Sequence, residues 1–196
     1  MLYCNFKKMA KLKETEIVEQ WSVLIEGAQG RQQDFYKMIE ARLDELEPPT
    51  LSVAQEVVFP SLLRRLKGDG KLFLIIKSKY FDGYVVNVCA QEYGKQLLIA
   101  WYLTQRPSKF MQFMANMPGF VMFSIYPIYL LIMLYDKITR RRVTLENMDI
   151  FDTQELGAFA GTVHHCVVFG SENIADAVGF DFSKVDRKSR GFLNLA

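Results

Sequence analysis

The chain has 196 residues, half of them hydrophobic, with 24 Lys and Arg against 22 Asp and Glu for a formal net charge of +2. That length holds one domain, or two small ones, with a real core. The near-neutral balance excludes a global field directed at nucleic acid or at an acidic substrate. Cys4, Cys89 and Cys166 are scattered, odd in number, and read as reduced thiols. The N-terminal MLYCNFKKMAKLKE has cations but no apolar run after them, which argues against a secretory signal.

From Lys13 to about Glu47 the spacing predicts helix. Ile17, Trp21, Leu24 and Ala28 recur at three and four residues, on one stripe. Gly27 and Gly30 interrupt it, so two helices are expected with a break between them. Asp34 is placed to cap the second, whose stripe is Phe35, Ile39, Leu43 and Leu46, and Pro48-Pro49 ends it. Pro60 then forbids one continuous helix or central strand between Thr50 and Gly70. The GDGK at Gly68–Lys71 lacks the spacing of a phosphate loop, has no Ser or Thr after its lysine, and reads as a turn.

The next stretch predicts a three-stranded antiparallel meander: LFLIIKSKYF, YVVNVCAQ and QLLIAWYL, joined at Asp82-Gly83 and Tyr93-Gly94-Lys95. Asp-Gly between β-branched and aromatic runs signals a two-residue turn, which needs positive φ. The outer strands are apolar almost throughout, so both faces of the sheet are expected to be covered. Mixed aromatic and basic residues also suit RNA, but no paired stacking aromatics sit in a Lys/Arg-Gly-Phe context, and nucleic acid is not an expected partner.

Gly119–Tyr135, GFVMFSIYPIYLLIMLY, carries no charge over seventeen residues. Spanning a hydrocarbon core takes roughly 20 apolar residues, so the run is slightly short. Pro127 would kink a helix there. Membrane insertion is expected, as a single span or a hairpin bent at Pro118-Gly119 or Pro127. The inserted side chains would be Phe120, Val121, Phe123, Ile125 and Pro127, continuing with Ile128, Leu130, Leu131, Ile132 and Leu134. Lys137, Arg140, Arg141 and Arg142 follow and would meet lipid headgroups. The alternative for this run is a buried core element or an interface between copies of the chain.

Beyond a connector from Val143 to Phe151, Asp152-Thr-Gln-Glu155 has capping-box spacing. The helix it opens carries the stripe Leu156, Phe159, Ala160, Val163 and Val167. The tail from Gly179 is polar and basic. His164-His165-Cys166 is the one cluster that suggests a metal or a nucleophile. Adjacent helical side chains diverge by about 100° and cannot share a metal, and no usual ligand stands three or four residues away. The plainer reading has His164 hydrogen-bonded at the edge of the apolar stripe and His165 solvated. Nucleophile elbows, HExxH, CxxC and dinucleotide fingerprints are absent.

From Phe35 to Asp176 the order FYKMIEARL, IIKSKYFDGYVVNVCAQEYGKQLLIAWYL, apolar stretch and GTVHHCVV resembles a family of bacterial membrane-associated proteins. In that family a strand pair precedes a hydrophobic segment and a helix with a Val-His motif. Ala100-Trp101-Tyr102-Leu103 stands here in place of the family's Ser-Trp-Trp-Leu. The resemblance implies architecture and no activity.

The sequence thus predicts an α+β chain: an N-terminal helix pair over a three-stranded antiparallel meander, a hydrophobic membrane segment and a C-terminal helix. Its expected parts are a cytoplasmic module at 1–110, the membrane segment or hairpin at 111–137, and a helical segment with a basic tail at 138–196. The expected function is a membrane-attached, non-enzymatic adaptor or scaffold with most of the chain cytoplasmic. Its partners would be membrane lipid and a further protein or itself, with no cofactor and no catalytic residue assigned. The alternatives are a metal-dependent or hydrolytic enzyme using His164 and His165, and a soluble homo-oligomer joined through Gly119–Tyr135.

Overall fold

The computed structural model describes residues 16–48, 51–58, 70–81, 83–105 and 148–195. The apolar run Gly119–Tyr135, with Lys137 and Arg140–Arg142, lies outside them, as does Pro60. Along residues 19–26 burial alternates with period two: Glu19, Trp21, Val23 and Ile25 point inward, while Gln20, Ser22, Leu24 and Glu26 are exposed. Period two is the signature of a strand with one covered face, and Ile17–Glu26 is β1. Helix α1 (Gln32–Leu46) follows, then β2 (Leu51–Val58), β3 (Lys71–Ser78), β4 (Tyr84–Tyr93) and β5 (Gln96–Gln105). The 29-residue helix α2 (Ile150–Val178) and the short strand β6 (Arg190–Gly191) complete the described chain.

The strands form one six-stranded antiparallel sheet in the order β2-β3-β4-β5-β1-β6. The expected helix pair is therefore corrected: a strand comes first, then a single helix. The predicted meander is present, but as the middle of a larger sheet that β1 extends by pairing with β5, Trp21 opposite Trp101. What misled the helical pattern was Leu24, which is 42% exposed and gave the outward face of β1 an apolar residue at helical spacing.

Both helices pack on one face of the sheet. Phe35, Ile39 and Leu43 of α1 and Leu156, Val163 and Val167 of α2 share a core with Val23, Ile76, Val86, Val88, Ile99 and Leu103. The helices touch where Gly170 meets the Phe35 ring, a Cβ there falling 3.3 Å from Phe35 Cε2. Tyr36 ties α1 to the sheet, its hydroxyl donating to the Leu72 carbonyl at 2.8 Å and accepting from Ala90 N–H at 2.9 Å. On the opposite face Val58, Phe73, Ile75, Val85, Cys89 and Ala100 form a second buried cluster to which neither helix contributes.

Of the expected Asp82-Gly83 turn, Asp82 lies outside the described residues; beside it Phe81 is buried, Gly83 takes φ +114°, and Tyr84 N–H donates to the Phe81 carbonyl at 3.2 Å. The second expected turn is a tight two-residue one at Gly94-Lys95, between the paired Tyr93 and Gln96, where Gly94 takes φ +63°. At α1 the N-cap is Arg31, without a side-chain cap, and Asp34 instead lies in the first turn, 3.2 Å from the Arg31 guanidinium. At α2 the capping box is Asp149 with Asp152, one helical turn earlier than expected, because the same Asp-x-x-acid spacing occurs twice in succession.

Candidate functional site

The stripe Leu156, Ala160, Val163 and Val167 is buried as its spacing predicts, and it carries His164 into the core beside it, 3% exposed. Cross-strand partners Trp21 and Trp101 both face that side of the sheet. The imidazole packs edge-on to Trp21 (centroids 5.9 Å, 81°) and tilted against Trp101 (5.5 Å, 58°). The Trp101 indole N–H donates to His164 Nδ1 at 3.0 Å, so Nδ1 is the bare nitrogen. Nε2 then carries the proton and donates to the Arg187 carbonyl at 2.9 Å. Burial holds the His164 pKa below its ordinary value, against the pull of the Arg187 carbonyl and the Glu19 charge.

His164, Trp21, Glu19 and Glu172 hold the C-terminal tail, Glu172 by accepting from the Arg187 guanidinium at 2.7 Å. Trp21 Nε1–H donates to the Asp186 carbonyl at 2.8 Å. Glu19, fully buried on β1, accepts from the Ser189 hydroxyl through Oε1 and from Leu193 N–H at 2.7 Å through Oε2. Ser189 Oγ accepts from Leu195 N–H at 2.7 Å. A buried carboxylate needs such donors, since an uncompensated one costs several kcal/mol. The sequence shows a charged residue at position 19 but no sign that it is buried: its partners lie about 170 positions away.

His165 is exposed on the other side of α2, as expected for a neighbour 100° round the helix. The two histidines are not brought together on a ligand. Among the described residues no group of three or more His, Cys, Asp or Glu is placed to hold a metal. Cys89 and Cys166 are both buried, and burial pushes their thiols up to about 11. At neutral pH they are protonated and poor nucleophiles.

The first turns of α2 build a different feature. Glu155, Ala158, Phe159 and Thr162 fall at i, i+3, i+4 and i+7, a stripe beside the core-facing one. That stripe, the end of α1 and the β2–β3 pair enclose an open-mouthed cavity of about 520 Å³. Its walls are mostly apolar, from Leu51, Phe81, Ala158 and Phe159. The polar groups are Ser78, Tyr80, Thr162 and Glu155, and Glu155 is the only charged side chain among the described residues lining it. Phe81 stacks edge-on against Tyr84 (6.2 Å, 89°), whose buried hydroxyl has no hydrogen-bond partner among the described residues. Sequence reading missed this site: it joins residues from three separated stretches, and only Phe159 had been assigned an inward role.

The expected transmembrane helix is not found: among the described residues no helix is long and apolar enough to cross a membrane, and the run Gly119–Tyr135 lies outside them. No family model, curated protein or solved structure matches the chain. The bacterial membrane-associated resemblance, and the membrane and scaffold character expected with it, thus gain no support from relatives.

Proposed function

We propose that this chain is a non-catalytic binding module that receives a small apolar molecule in the cavity between α1, α2 and the β2–β3 edge. The observation that carries the reading is the 520 Å³ apolar cavity with a few polar groups at its mouth. Small-molecule sites are concave, mostly apolar and about 300–1,000 Å³, with sparse polar groups fixing orientation. The chemistry-bearing side chains elsewhere are engaged structurally: both His164 nitrogens and both Glu19 oxygens have partners within the fold. That arrangement engages both nitrogens of His164, and among the described residues no group of three or more His, Cys, Asp or Glu is placed to hold a metal. An adaptor role fits the same geometry, with the filled cavity altering the surface between α1 and α2.

The test is titration with N-phenyl-1-naphthylamine, an uncharged probe that fluoresces in apolar sites. Saturable fluorescence that Ala158→Leu weakens is the expected result. Ala158 is an exposed wall residue, and its enlargement fills the cavity without touching the core. No saturable binding, or binding equal in the variant, would sink the reading.

A further inference from the structure

Resting on that cavity reading, we infer that the ligand is a monocationic amphiphile, an apolar body carrying an ammonium group held at the mouth by Glu155. The cavity volume of about 520 Å³ equals roughly seventeen water-sized volumes of about 30 Å³, which leaves room for an alkyl body of ten or more carbon atoms. Such a body satisfies Leu51, Phe81, Ala158 and Phe159, and the question is what the mouth selects.

Three features there have the same sign. Glu155 is exposed, lines the cavity and makes no hydrogen bond or ion pair with another described residue. Tyr80 lines the mouth with its side chain 67% exposed, offering an aromatic face of the kind that attracts cations. Helix α1 ends beside the cavity at Pro48 with no basic residue in its last turn, and Asp44 and Glu47 are exposed there. The partial negative charge of its terminal carbonyls is thus not met by a cation from the helix's own last turn. The positive end of α2 opposes this, and Asp149 and Asp152 form the capping box on that terminus. Lys79, between two lining residues, does not itself line the wall. A carboxylate headgroup would meet Glu155 directly, and an alcohol would offer it a neutral O–H donor without an opposite charge. An ammonium group pairs with it and faces Tyr80.

The experiment displaces bound N-phenyl-1-naphthylamine with decylamine, decanol and decanoate, matched in chain and differing in head. Decylamine should displace at about fivefold lower concentration than decanol, the advantage of one partly exposed ion pair. Decanoate should be weaker than decanol. Glu155→Gln keeps the size and removes the charge, so it should bring decylamine and decanol together, chiefly by weakening decylamine. Equal displacement by all three, or an amine preference that survives Glu155→Gln, overturns the inference and leaves the cavity reading standing. Failure of every alkyl compound to displace the probe overturns both.

Discussion

Replacing His164 with phenylalanine keeps a ring of similar size against Trp21 and Trp101, so the loss of packing is small. What it removes is the acceptor for Trp101 and the donor to Arg187. Trp101 is fully buried, so its N–H has no water to turn to. A buried polar group stripped of its partner costs about 1–3 kcal/mol. The Arg187 carbonyl lies in an exposed stretch and recovers a water, which limits its share to about 1 kcal/mol. The expected loss is therefore about 2–4 kcal/mol, a large part of the 5–15 kcal/mol that holds a domain folded. His164→Asn, whose carboxamide oxygen can still accept from Trp101, should lose about half as much. Urea unfolding followed by tryptophan fluorescence measures both, provided the slope with denaturant is unchanged. A loss below about 0.5 kcal/mol in His164→Phe would refute the assignment of this histidine as a structural anchor.

The same geometry fixes a pH dependence. A proton on Nδ1 would set a donor against the Trp101 N–H, and burial already disfavours the cation, so the folded pKa is depressed. Above the ordinary value of about 6.5, His164 is neutral in both states and its contribution is fully present. As pH falls from there towards the depressed folded value, the unfolded chain takes up a proton that the folded protein refuses. Stability therefore declines on acidification through that window. In His164→Phe this component of the slope should vanish, and an unchanged slope between pH 7 and 5 would count against the assigned tautomer.

Further tests address other joints of the fold. Gly191 has φ +151°, and a Cβ there would lie 2.3 Å from the Val18 carbonyl oxygen, so Gly191→Ala should detach β6 from β1 and speed proteolysis of the tail; resistance equal to wild type would contradict the pairing. Asp149→Ala should lower the urea midpoint by about 1 kcal/mol of stability through loss of the α2 cap, whereas an unchanged midpoint would show the cap contributes nothing. Cys89 and Cys166 should resist iodoacetamide at pH 8 in the native protein and react after unfolding, read by peptide mass spectrometry. Native labelling at either site would contradict its burial.

How much of this was legible in the sequence depended on how local the cause was. Helix α1 showed itself through Phe35, Ile39 and Leu43, and α2 through Leu156, Val163 and Val167, because a helix writes its buried face at fixed spacing. The meander was legible from its turn residues and β-branched runs. Strand β1 was not, because Ile17, Trp21, Leu24 and Ala28 satisfy helical spacing while Trp21, Val23 and Ile25 satisfy strand spacing. Pairing with β5, some eighty residues away, decides between them, and propensity yields to that tertiary contact. Strand β2 was hidden for a related reason. It is an edge strand, exposed along most of its length, so its pattern lacks a clean buried face. His164 as a packed, hydrogen-bonded boundary residue was readable from the helical wheel; its partners Trp101 and Arg187 were not, since nothing local links them.

Helix α2 does two jobs through two adjoining stripes, and this ordering explains why the polar anchor sits where it does. Leu156, Val163 and Val167 press one stripe into the core, and apolar contacts of that kind tolerate a helix sliding or rotating slightly. The neighbouring stripe, Glu155 to Thr162, must present a cavity wall, where a small rotation would move Ala158 and Phe159 relative to Leu51 and Phe81. A hydrogen bond is directional and does not tolerate the same slip. His164 lies two residues beyond Thr162 and is fixed at both ring nitrogens, to the sheet through Trp101 and to the tail through Arg187. The anchor therefore sets the rotation of α2 within a turn of the cavity. On this argument His164→Asn should weaken N-phenyl-1-naphthylamine binding more than an equally destabilising change at Asp149, the α2 N-cap. Equal weakening by the two variants would mean that stability alone, and not the orientation of α2, governs the cavity.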